Sequence, residues 1–72
     1  MLNRIFIGFD MNERIGFDEL NSAIHELESL CSIAETTFET KIICWTLKPN
    51  TKSDEEFIIK LLNEAKIEYR LI

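Results

Sequence analysis

The sequence predicts an α+β domain of ferredoxin-like type, with two helices on one face of a four-stranded antiparallel sheet. Three observations predict it. Two stretches carry apolar residues at helical spacing, and apolar or alternating runs of strand character flank them. Residues 32–48 also contain neither Gly nor Pro but are rich in Thr, Ile and aromatics. As one strand they would run about 55 Å, too long for a domain of this size, so they must fold back as a hairpin. The resulting order, β-α-β-β-α-β, is the split β-α-β arrangement. If residues 32–48 were a single strand, the alternative would be a three-stranded β-α-β-α-β sheet with right-handed crossovers.

Each element has its own signature. Arg4-Ile5-Phe6-Ile7-Gly8-Phe9 is a nearly continuous apolar run of aromatic and β-branched residues, which suits a central strand. Asp10-Met11-Asn12-Glu13 breaks that run as a loop. Over residues 14–31, Phe17, Leu20, Ile24, Leu27 and Cys31 recur at spacings of three and four, which makes one helical stripe. Asp18 and Glu19 suit the positive end of that helix dipole. The hairpin strands are placed at 33–38 and 41–47, joined near Glu39-Thr40 without Asn-Gly turn chemistry. Ser53 and Glu56 form a capping box for a second helix whose stripe is Phe57, Ile58, Leu61, Leu62 and Ala65. Residues 67–72 alternate as a closing strand near an edge.

The chain is 72 residues long, a single domain at 1–72 with a net charge of −5. Residues 37–72 sum to zero, so the whole net charge sits in the first half. This excess of acid argues against direct nucleic-acid binding, which needs positive charge against phosphate. No apolar run reaches the roughly 18 residues that a membrane span requires. A domain this small buries only about 60% of its unfolded surface, which favours a homodimer that buries more. Cys31 and Cys44 form no CxxC motif and read as reduced, buried thiols of a cytoplasmic protein.

IFIGFD ending in Asp10, an amphipathic helix, ETTFETKIICWTL as a hairpin, a capped helix and a closing strand together resemble a known family. It is that of the small CRISPR-associated adaptation nuclease-like proteins, with their relatives of the virulence-associated protein D type. The resemblance spans nearly the whole chain. It implies a ferredoxin-like homodimer in which the aspartate closing the first strand, here Asp10, lies near the dimer axis. There it would bind a divalent metal, Mg²⁺ or Mn²⁺, for RNA or DNA cleavage. The acidic first helix departs from that pattern, because it lacks basic residues for gripping phosphate. IFIGFDMNERIGF also resembles the first strand and helix of nucleotide-sugar glycosyltransferases, without their DxD motif. LLNEAKIEYRLI resembles the tail of glutaredoxins, but Thr51 and Asp54 stand where their redox cysteines would fall.

Asp10 and Glu13 are the only carboxylate pair beside a strand end and are the metal-ligand candidates. The competing reading is a turn aspartate that bonds its own loop. His25 falls on a polar helix face one turn from Glu28 and reads as a solvated histidine. Trp45, Phe6, Phe9 and Phe38 are stacking candidates, with core or interface packing as the simpler use. The acidic helix supports a different role. A compact acidic domain can dock on the basic groove of a nucleic-acid-handling protein, steered by charge, through Asp18, Glu19, Glu26 and Glu28. Its size and charge are those of small inhibitors carried by phages and mobile elements. On this reading the protein is not an enzyme and holds no cofactor. The alternatives are a homodimeric nuclease using Asp10 and a non-catalytic structural subunit.

Overall fold

The computed structural model describes residues 2–12, 16–39 and 41–72. The order is β1 (Ile5–Asp10), α1 (Phe17–His25), β2 (Cys31–Phe38), β3 (Ile42–Pro49), α2 (Lys52–Glu64) and β4 (Arg70–Leu71). All strand pairs are antiparallel and the sheet order is β2-β3-β1-β4. Each β-α-β unit is therefore split by a strand of the other unit. The α+β class, two helices with a four-stranded antiparallel sheet, is the one read from the sequence. The three-stranded alternative is excluded because residues 31–49 form a hairpin.

Strand alternation assigns the two sheet faces. Ile5, Ile7, Ile43, Trp45, Leu47 and Cys31 are buried and form one core with Ile24 and Leu27 of the α1 segment and Ile58 and Leu62 of α2. Both helices thus cover the same face. Trp45 is fully buried, and its Nε1 donates to Glu35 Oε2 at 3.0 Å across the β2–β3 pair. Its ring stacks on Phe17 at 6.1 Å, and Phe17 meets Phe9 at 5.5 Å. Trp45 and Phe9 are therefore packing residues, whereas Phe6 and Phe38 lie on the other, uncovered face.

Several boundaries differ from expectation for local reasons. The first helix ends at His25, and residues 26–30 turn so that the Cys31 N–H donates to the Leu27 carbonyl. The hairpin strands run longer than expected. Glu39 reverses the chain at φ 51, and the Lys41 N–H donates to the Phe38 carbonyl at 3.0 Å. The cap of α2 is Thr51 rather than Ser53, its extended backbone placing the hydroxyl to accept from the Asp54 N–H at 3.1 Å. Glu55 falls on the same buried stripe as Ile58 and Leu62 and faces inward, whereas Glu56 and Phe57 are exposed. At the other end, Lys66 at φ 58 closes a Schellman motif, with Ile67 N–H to Leu62 O at 2.9 Å and Lys66 N–H to Asn63 O at 3.1 Å. That turn aims 67–69 across the core before the chain pairs with β1, so β4 shrinks to two residues.

Glu55 is the one buried charged side chain among the described residues. Its Oε1 accepts from Lys52 Nζ at 2.9 Å and its Oε2 from the Asn3 N–H at 2.8 Å. The Lys52 bond, then the Asn3 amide, hold this carboxyl below its ordinary range. A depressed folded pKa makes the contribution to stability complete above the unfolded value of about 4.3. That contribution is lost as pH falls through the folded value. Glu55→Gln is therefore expected to unfold at lower denaturant than wild type at pH 7, with a smaller gap at pH 3. Trp45 fluorescence reads both midpoints, and parallel pH profiles would contradict this role.

Candidate functional site

The acidic surface is built on α1 and the turn after it. Gly16 occupies the N-cap at φ 86 and supplies no side-chain cap, so Asp18 and Glu19 in the first turn balance the exposed amides electrostatically. Ile24 and Leu27 anchor the segment to the core, and Phe17 and Leu20 pack beside them. Asp18, Glu19, Glu26 and Glu28 are all exposed, with Asp18 beside Phe9 and Phe17 and Glu26 beside Leu27 and Leu61. From residue 15 to residue 40 the sequence holds six acidic residues and no Lys or Arg. His25 Nδ1 lies 2.9 Å from Glu28 Oε1.

The opposite side of the molecule has the reverse sign. By register, Arg4, Lys48 and Arg70 belong to the sheet face that no helix covers, and Asp10 closes its far end. A net acidic chain is thus polarised, with acid over α1 and base at one end of the bare sheet. Strand parity carries this second cluster, since Arg4 stands two residues before Phe6 and Lys48 two after Thr46. It becomes visible only once the register is known.

Asp10 is exposed at the end of β1, and its Oδ1 accepts from the Asn12 N–H at 2.9 Å. This is the turn-forming use of an aspartate, which occupies one carboxylate oxygen. Glu13 lies outside the described residues. Among the described residues no group of three or more His, Cys, Asp or Glu is gathered as metal ligands would be.

The thiols are free, buried and on opposite faces of the sheet. Cys31 Sγ donates to Leu27 O at 3.2 Å. Burial first, then the nearby Asp54 and Glu28 charges, push its thiol up, and burial alone does so for Cys44. Both are poor nucleophiles at neutral pH. An open groove of about 680 Å³ lies where β4 stops short, lined by Phe6, Gly8, Lys66, Glu68, Tyr69 and Arg70 among others. None of Asp18, Glu19, Glu26 and Glu28 lines it. Among the described residues no helix is long and apolar enough to cross a membrane.

Compared with family models, curated proteins and solved structures, the chain matches none of them.

Proposed function

We propose that this protein is a homodimeric, non-catalytic regulator or inhibitor that docks its acidic α1 surface on a basic surface of a nucleic-acid-handling protein. One observation carries the reading: four exposed carboxylates on α1 and its following turn, without a lysine or arginine among them. α2 offers no equivalent, because Lys52 and Lys60 interrupt its acids. Such a surface steers a basic partner and rejects nucleic acid. Because the contact is formed by exposed charges, it is screened once the Debye length shrinks below the size of the patch.

A dodecalysine peptide serves as the probe. Its affinity is expected to fall steeply between about 0.01 M and about 1 M salt, as the Debye length drops from ~30 Å to ~3 Å. Affinity that does not change with salt would overturn the mechanism. Incubation with labelled RNA and DNA in Mg²⁺ or Mn²⁺ is expected to give no cleavage. Metal-dependent cleavage that disappears in Asp10→Asn would assign the chain to the nuclease reading instead.

A further inference from the structure

We infer that the groove between α1 and α2 takes a cationic amphipathic helix of the partner, with one leucine-sized side chain seated between the helices and a lysine or arginine on Glu26. This deepens the acidic-surface reading above and rests on it, because it names the element that the partner presents.

The groove holds about 170 Å³. Ile24 and Leu62, both core residues, form its floor. Ala23 and Leu27 make the wall on the α1 side, and Leu61 and Ala65 make the wall on α2. Of the residues lining it, Glu26 alone is charged. The two alanines hold it open. Ala65 is exposed and Ala23 half-buried, so a longer side chain at either position would reach across. An apolar cavity of about 150 Å³ accepts a benzene-sized group, so this groove has room for one branched aliphatic side chain.

The groove continues as an apolar strip along α2. Phe57 stands one helical turn before Leu61 and is 47% exposed, although it takes no part in the core. Acid runs along the other wall. Glu19 lies four residues before Ala23 and Glu26 three after it, so the two carboxylates bracket that wall. Lys66, next to Ala65 in sequence, lines the other groove beyond β4.

This pattern selects the occupant. A basic amphipathic helix carries apolar side chains three and four residues apart, with lysine or arginine beside them. Its apolar face fills the groove while its basic residues lie along α1. A neutral helix lacks the second contact and an acidic one is repelled. Polylysine lacks the first contact, so it reports the acidic surface alone. Charge brings basic partners in, and the apolar seat chooses among them.

The test is isothermal titration of the full chain with a helical peptide carrying leucine along one face and lysine elsewhere. Its counterpart has the same length and charge, with alanine for each leucine. The leucine peptide is expected to bind at least about tenfold tighter, from burial of one aliphatic side chain. Ala65→Leu fills the groove from an exposed position without changing the charge. It is expected to remove that advantage and to leave the alanine peptide's affinity within about twofold of wild type. Ala23→Leu tests the opposite wall in the same way, and Trp45 fluorescence checks that both variants fold. Glu26→Gln is expected to weaken both peptides about twofold to fivefold.

Equal, salt-sensitive affinity for the two peptides would overturn the groove and leave the acidic surface standing. Binding of neither peptide would overturn both. A leucine advantage that survives Ala65→Leu and Ala23→Leu would put the apolar contact elsewhere and overturn the inference. A peptide with glutamine for each lysine that binds as tightly would overturn the cationic partner. A wild-type dimer that sediments as a monomer in Ala65→Leu would overturn the inference in favour of a second copy in the groove.

Discussion

Trp45→Ala is expected to destabilise the domain strongly and lower its melting temperature. Trp45 is the largest fully buried side chain and sits on the central strand β3, between the helices and the sheet. Truncating a buried tryptophan costs about 3–5 kcal/mol through lost transfer energy and the cavity left behind. A chain of this length has a total stability of roughly 4–11 kcal/mol, so the loss takes about a quarter of it or more. The Phe17 stacking goes with the ring, and Phe17 also holds Phe9, so the damage spreads to β1 and the start of α1. Trp45→Phe separates packing from the hydrogen bond to Glu35. It keeps an aromatic ring and loses the donor, at about 1–2 kcal/mol. Thermal melting followed by circular dichroism measures both variants. A cost below about 1 kcal/mol for Trp45→Ala would show that the core does not centre on this ring.

Glu19→Lys combined with Glu26→Lys is expected to weaken binding of the lysine peptide by about tenfold to a hundredfold. An exposed charge pair contributes about 0.2–1 kcal/mol, and reversal turns each attraction into a repulsion. Two reversals therefore remove roughly 1–3 kcal/mol, at 1.4 kcal/mol per tenfold. Both residues are exposed, so stability is expected to change little. The control is Glu64→Lys with Glu68→Lys, which changes the net charge equally at the far end of α2 and beyond it. That control is expected to weaken binding by less than about threefold, the long-range share of a screened field. Isothermal titration of the two variants reads the difference. Equal losses in both would mean that net charge, and no particular surface, attracts the peptide.

Much of this architecture is legible without coordinates because two periods differ so plainly. The Ile5–Phe9 run lies where a buried strand requires it, and Ile24 and Leu27 reach the core, but the helix ends at His25, so Leu27 packs from the turn and Cys31 from the start of β2. The hairpin followed from length alone, although its turn carries no glycine and Glu39 takes the left-handed conformation instead. What stayed hidden depends on a residue or two at a boundary. Thr51 and Ser53 both offer a hydroxyl three residues before a carboxylate, so spacing alone does not choose between them. Glu55 shares the phase of Ile58 and Leu62 and so turns inward to Asn3 and Lys52, while Phe57 faces solvent. The closing strand likewise looked long because 67–72 alternates, yet the left-handed turn at Lys66 spends three of those residues crossing the core. The candidate site is visible to the same degree. The acidic residues stand out as a run without lysine or arginine, whereas Arg4, Lys48 and Arg70 are far apart in sequence and meet only through strand register.

The most direct test of where a basic partner docks is amide chemical-shift mapping of the full chain during titration with the lysine peptide. Perturbations concentrated on residues 18–28, fading as salt is added, are the predicted result. Perturbations concentrated on the bare sheet face or on residues 63–70, or spread evenly over the chain, would contradict the account.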